Sequence, residues 1–263
     1  MRLWRGGRAV SLRGLVVALG VPAAFVTTAL AFGSVVPAAQ AVTAEDAVVV
    51  SLPEKYMPSK YSVRRTAVLD FGRLVHRGYT VKTTAPVAFI TIDDGVNKDR
   101  RALDYVRQMR LPITSFVSAW TIKNEADFFV GISQFGSIQN HSATHANLTK
   151  ASTDLDHEIC YSQRMLKSTF GEKPWMMRPP YGAGMNNPTV LRKAYNCGIR
   201  DMVLWDAVVH HGKVTSTGSL RPGSIVLLHF GPNLTRDLKA AVAAIHKAGL
   251  VPANLADYLP DSR

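Results

Sequence analysis

From residue 86 onward two hydrophobic rhythms alternate along the chain. Short runs rich in β-branched and aromatic residues have the length and composition of buried strands: "VAFITI" at 87–92, "ITSFVS" at 113–118, "WMMRPP" at 175–180, "MVLWDAV" at 202–208 and "SIVLLHF" at 224–230. Between them lie helical patterns. In "TDLDHEICYSQRMLKSTFG", Leu155, Ile159, Leu166 and Phe170 recur at helical spacing, with Thr153 and Asp156 set as a capping box and Gly171 as the stop. In "RDLKAAVAAIHKAGL", Leu238, Val242 and Ile245 share one face and Gly249 ends the helix. Strands alternating with helices predict an α/β fold with a mostly parallel sheet, open or closed into a barrel. Functional residues in such folds gather at the C-terminal ends of the strands.

The first 85 residues follow a different pattern. Arg2, Arg5, Arg8 and Arg13 precede any acidic residue, and residues 15–36 carry no charge at all. Ala39-Gln40-Ala41 then has the small-x-small form of a signal-peptidase site. This order predicts a signal peptide over 1–41 and a secreted or cell-envelope protein. The alternative is a retained membrane anchor through residues 15–36, since 22 uncharged residues also suffice to span a bilayer. Residues 42–85, rich in Pro and Ser near 51–62, read as a linker and N-terminal arm, leaving 86–263 as the working domain.

Composition changes this picture little. Of the 263 residues 47% are hydrophobic and 19% charged, which is the make-up of a globular protein. The net charge of +12 owes four arginines to the leader, and no later stretch interleaves a dense Lys/Arg run with aromatics. Nucleic acid is therefore not the expected partner; an anionic envelope suits the basic surface. Cys160 and Cys197 both lie in the exported part, where a disulfide is permitted, and two buried thiols are the equal alternative.

Four strand ends carry the candidate chemistry. "FITIDDG" stops a buried run on two adjacent carboxylates, Asp93 and Asp94, a costly pair unless a cation or a division of roles separates them. "NHSATHANL" follows with His141 and His145, whose spacing of four predicts two imidazoles on one side of a helical turn. Two histidines and a carboxylate are a catalytic zinc ligand set, so one aspartate is expected on the metal and the other off it. "RPPYGAG" adds Arg178, able to hold a carboxylate, in a stiff turn that can aim a backbone N–H at an oxyanion. "IVLLHFGP" brings His229 out at the same rim, where an imidazole can protonate a leaving amine.

In their order and spacing, "TIDDG", "HSATH", "RPPYG", a tryptophan-bearing strand and "LLH" resemble the polysaccharide deacetylases, carbohydrate esterase family 4 or the NodB-homology domain, over about residues 86–259. The resemblance implies a distorted (β/α) barrel. It also implies a metal-dependent hydrolase, acting on carbon–nitrogen bonds other than peptide bonds, that removes N-acetyl and in some members O-acetyl groups from a polysaccharide, with metal-held water as nucleophile. On that resemblance Asp93 is the general base. Asp94, His141 and His145 hold the divalent metal, with zinc expected. Arg178 orients Asp93, the Tyr181 backbone N–H joins the oxyanion hole and His229 is the general acid. Leu227 and Trp205 line the acetyl and substrate side. The implied partner is an acetylated polysaccharide (peptidoglycan, chitin-like or xylan-like), bound by a monomer.

This sequence departs from the family pattern in three places. Ile92 stands for the usual Phe and Val96 for the usual Pro. In the fourth motif, "LWDAVVHHGKV" offers Val208 and a His-His-Gly where an aspartate is thought to support the acid histidine; Asp206 lies nearby. The departure predicts a weak enzyme with an acid-shifted optimum. The rival reading is a wall-glycan binding module of the same fold with little or no turnover.

Overall fold

The computed structural model describes residues 74–123 and 125–259. Ten strands make one sheet: β1 (His76–Gly78), β2 (Val87–Asp94), β3 (Ile113–Val117), β4 (Ser137–Asn140), β5 (Met176–Met177), β6 (Asp201–Val203), β7 (Ala207–His210), β8 (Lys213–Ser216), β9 (Ser224–His229) and β10 (Val251–Pro252). Their order is β1-β6-β5-β4-β3-β2-β9-β7-β8, with β10 beside β2. Among the strand pairs of the described residues only the β7–β8 hairpin is antiparallel, beside one isolated antiparallel bridge between Thr80 and Ser224. The curled sheet forms a distorted half-barrel, and helices pack on its outer face: α1 (Arg100–Met109), α2 (Ala126–Ile132), α3 (a π-helical turn Asp156–Tyr161 running into Ser162–Phe170), α4 (Pro188–Asn196) and α5 (Leu234–Lys247).

Strand alternation sorts the side chains into two layers. Outward-facing Ala88, Ile90 and Ile92 of β2, with Val226 and Leu228 of β9, pack with Leu103, Val106, Phe128, Phe129, Leu238, Val242 and Ile245 of the helices. Ile92 thus serves the helix-side core, fully buried. Phe89 and Ile225 face inward with Phe116, Trp175 and Val203. Register pairs Thr91 with Leu227 and Asp93 with His229, so these four share the inner face at the C-terminal rim.

Local structure differs from the sequence reading in instructive places. Asp154, not Thr153, caps α3: its Oδ1 accepts from Asp156 N at 2.9 Å and His157 N at 3.2 Å. Asp is at least as good an N-cap as Thr, and Thr153 instead donates to Asn147 O while Asp156 pairs with Lys193. The run "MVLWDAV" splits into β6 and β7 because the Val203 and Leu204 carbonyls accept from the Arg178 side chain instead of a neighbouring strand.

Residues 76–82 of the arm join the sheet. β1 pairs with β6, and Val81 N–H donates to Gly223 O at 2.9 Å. Residues 1–73, with the expected leader and most of the arm, lie outside the described residues. No helix among the described residues is long and apolar enough to cross a membrane. Cys160 and Cys197 form a disulfide, Cα atoms 5.0 Å apart, that ties the first turns of α3 to the end of α4.

Candidate active site

The two aspartates at the end of β2 part company through one torsion. Asp93 keeps the inward direction of Thr91. Asp94 would point outward by alternation, but its backbone is left-handed, φ 83°, and swings its carboxylate toward the histidines. The next residue must be glycine: φ is 114°, and a Cβ there would lie 2.3 Å from Thr121 Oγ1.

His141 and His145 stand on irregular chain after β4 rather than on the helical turn their spacing suggests. Left-handed residues at Ser142 (φ 68°) and His145 (φ 65°) fold the segment back on itself, and the ring centres come within 4.9 Å. Both Nε2 atoms approach Asp94 Oδ1, at 3.3 Å and 3.2 Å. That oxygen is buried yet has no aligned hydrogen-bond partner. A tetrahedral ion about 2.0–2.1 Å from each donor would hold neighbouring donors about 3.3–3.4 Å apart. Two of the three donor pairs have this spacing and all three donor atoms lie within 4.8 Å of one another, an arrangement that fits a metal ion. The other ring nitrogens are occupied: His141 Nδ1 lies 2.7 Å from the Arg178 carbonyl, which makes Nδ1 the protonated nitrogen and frees Nε2 as a ligand, and His145 Nδ1 lies 3.2 Å from the Tyr181 hydroxyl. Burial pushes the Asp94 carboxyl up, but His141 and His145 outweigh it and hold it well below the usual carboxylate range. Asp94 in turn raises the His145 imidazole.

Arg178 is no surface residue. Its fully buried guanidinium donates from Nη1 to Asp93 Oδ1 (2.7 Å) and Thr91 Oγ1 (2.9 Å), from Nε to Val203 O (3.0 Å) and from Nη2 to Leu204 O (3.0 Å). It also lies over Phe116, 4.4 Å from the ring centre, and faces Trp205 at 5.5 Å. A buried charge this well satisfied holds one geometry. Asp93 therefore belongs to the arginine, although its Oδ2 is 3.8 Å from His141 Nε2. Tyr181, left-handed at φ 60° and mostly exposed, supports His145 through its hydroxyl, a role its place in the stiff turn did not suggest.

His229 emerges exposed beside Asp93, and Leu227 behind it is buried on the same face. Trp205 is half-buried against Arg178. Asp206 is spent elsewhere: it accepts from Ser224 Oγ (2.9 Å) and Ile225 N (2.8 Å) at the opposite end of β9, roughly 16 Å along the strand from His229. It does not replace the missing aspartate. One supporting residue had no sequence signal. Glu158, buried on α3, accepts from Ala143 N, Thr144 N and Thr144 Oγ1 and so fixes the histidine segment, yet in the sequence it occupies an ordinary polar helix position. Two clefts open off the site. One of about 570 Å³, on the His145 and Tyr181 side, is lined by Asn147, Lys150 and Asp154; the other, on the His229 side, measures about 450 Å³. A cavity of about 650 Å³ between α1 and the start of α5 contains none of these site residues.

Comparison with known proteins agrees with this architecture. The polysaccharide deacetylase family model matches residues 80–202. An uncharacterized Streptomyces coelicolor protein is 34% identical over 193 residues, covering 68% of this chain and 75% of that one. A peptidoglycan-N-acetylglucosamine deacetylase of Bacillus cereus is 28% identical over 214 residues, covering 75% of this chain and 77% of that one. Among solved structures, a family 4 carbohydrate esterase from Bacillus anthracis superposes with a TM-score of 0.58 at 24% identity, over 72% of this chain and 89% of that one. A CE4-family pseudoenzyme from the same organism does so with 0.59 at 20% identity, over 70% and 69%. With its curled parallel sheet, its paired aspartates and its two histidines accounted for, the chain belongs to the polysaccharide deacetylase family.

Proposed function

We propose that this protein is a metal-dependent N-deacetylase of an extracellular or cell-wall glycan. The observation that carries the reading is the separation of the aspartate pair: Asp94 Oδ1 meets both histidines, while Asp93 is held by Arg178. Asp94, His141 and His145 hold the ion, for which zinc is the expected choice given the donor set. When bound, such an ion lowers the pKa of a water to about 7 and polarises the amide carbonyl. Asp93, oriented by Arg178, accepts the proton of the attacking water. The Tyr181 N–H faces the developing oxyanion. His229 donates a proton to the nitrogen as its bond to the acetyl carbon breaks, so water and acetamide yield acetate and a free amino sugar.

The substrate class is proposed from relatives that deacetylate chitooligosaccharides and peptidoglycan. One observation favours a weakened enzyme or a glycan-binding module: no carboxylate from the fourth motif reaches His229, since Asp206 is engaged at the far end of β9. A single assay decides between these readings. Acetate release is measured from N-acetylglucosamine oligomers and from peptidoglycan, with chelator and after zinc is restored. Release that chelation abolishes and zinc returns is expected; glycan binding with no acetate at any metal loading would leave the binding module.

A further inference from the structure

A second group of histidines borders the site. Only His211 and Gly212 connect β7 to β8, with His210 paired to Lys213. Both connecting residues have positive φ, 52° and 75°, as a tight hairpin matched to strand twist requires. Asn or Asp is the usual residue before that glycine; here it is a histidine. The His210 and His211 rings stack 3.9 Å apart at 21°, exposed to solvent. Their support is rigid. Gly212 N–H donates at 2.5 Å to the buried Asp237 carboxylate on α5, and the Arg236 stem lies so close to Gly212 that an added Cβ would meet it at 3.2 Å. The two imidazoles, His229, Val208 and Asn233 line the cleft of about 450 Å³, within the range of roughly 300–1,000 Å³ usual for small-ligand sites. None of the candidate metal ligands borders it.

The chemistry fixes what must enter this cleft. His229 protonates a nitrogen that stays attached to its sugar, while the acetyl carbon stays on the Asp94 side. The sugar ring therefore sits within a few bonds of His229, where the cleft opens. We propose that the His210–His211 tip is a sugar-binding subsite for the pyranose ring bearing the departing amine. The inference rests on the deacetylase reading above and names the residues that choose its substrate. An imidazole offers a flat face to the C–H face of a pyranose and ring nitrogens to its hydroxyls. Because the tip is already anchored by Asp237, little freedom is lost on binding.

The test uses zinc-loaded wild type, His210→Ala, His211→Asn (which tolerates the left-handed backbone) and the double variant, each checked by thermal melting. Four quantities are read: kcat and KM for acetate release from the N-acetylglucosamine tetramer, the calorimetric Kd of that tetramer, and the rate of hydrolysis of 4-nitrophenyl acetate, which carries no sugar. In the double variant KM and Kd should rise about tenfold, equivalent to one lost contact of about 1.4 kcal/mol, with kcat held and the loss confined to the sugar substrate. Equal losses on the tetramer and the aryl ester would make the tip a support of the metal site and overturn the proposal. So would unchanged KM and Kd. Should wild type release no acetate from glycan, the deacetylase reading falls, while the Kd comparison still decides whether the tip holds sugar.

Discussion

Asp93 Oδ1 and Arg178 Nη1 lie 2.7 Å apart at the inner end of the half-barrel, with the two residues 3% and 0% exposed. The contact joins β2 to the chain just after β5 and holds the Asp93 carboxylate in a nearly buried position. Removing one partner of a buried pair strands the other and costs about 3–5 kcal/mol. Arg178→Ala is therefore expected to melt far below wild type. Arg178→Lys keeps the charge but loses the fork that spans Asp93, Val203 O and Leu204 O. We expect it to fold and to lose about 10²–10⁴-fold in turnover, the usual worth of a positioned general base. Wild-type kinetics in Arg178→Lys would mean that Asp93 needs no orienting partner.

The division of labour between the aspartates predicts opposite phenotypes. Asp94→Asn, His141→Ala and His145→Ala should each lose zinc by elemental analysis, by more than the ~10–100-fold seen when outer partners of a metal site are removed. Asp93→Asn should keep zinc and lose turnover. Zinc lost from Asp93→Asn but retained by Asp94→Asn would reverse the assignment.

Asp201 predicts a pH dependence of stability independent of catalysis. Burial raises its carboxyl to about 6, with His76 pulling it back in part, and one of its oxygens is buried without a partner. Below about pH 4 the folded and unfolded chains both hold the proton and nothing is lost. Between about pH 4 and 6 the unfolded chain ionises first, so stability falls as pH rises, and above 6 the penalty is complete. A sealed carboxylate shifted this far would cost about 3 kcal/mol; solvent in the adjoining cleft reduces that to about 1–2 kcal/mol. Asp201→Asn should thus raise Tm at pH 7.5 by about 2–8 °C and leave it unchanged at pH 3.5. Equal gains at both pH values would show that ionisation is not the cause.

The Cys160–Cys197 bridge closes a loop with a sequence separation of 37. A loop of that size is worth about 2–4 kcal/mol, so Cys160→Ser with Cys197→Ser should lower stability by that amount in denaturant melts. Reductant should destabilise wild type and leave the double variant unaffected.

Export is tested at the N-terminus. If residues 1–41 form a cleaved signal peptide, the mature protein begins at or near Val42. Intact mass of the exported form decides it, and a membrane-bound product beginning at Met1 would favour the anchor.

The strands and their chemistry were legible in the sequence because a buried parallel strand is a continuous apolar run, and polar residues that interrupt its end stand out. Asp93, Asp94, Arg178 and His229 were found in this way. What stayed hidden depends on torsions and on distant partners. A spacing of four between His141 and His145 suggests a helix, whereas left-handed residues achieve the same approach on a loop. Asp206 sits one residue from Trp205, yet its partners at the start of β9 turn it away from the chemistry. Glu158 and Asp237 read as helix-surface acids and are buried anchors for the histidine segment and the hairpin tip. The Val203 and Leu204 carbonyls, which accept from Arg178 where β6 parts from β7, are likewise invisible without the Arg178 side chain in place.

The left-handed backbone at Asp94 restricts which residues that position can exchange with. Asparagine tolerates the torsion almost as well as aspartate, but brings no charge to the ion. Glycine fits the torsion best and brings no ligand at all. Glutamate keeps the charge but carries its oxygens one carbon too far for donors spaced at 3.2–3.3 Å, and it meets the torsion without the short side chain that eases it. Conformational and chemical filters that rank the amino acids differently therefore pass one residue in common. In a saturation library, position 94 should tolerate Asn and Gly for folding and only Asp for metal loading, whereas position 93, in ordinary strand geometry, should be limited by chemistry alone.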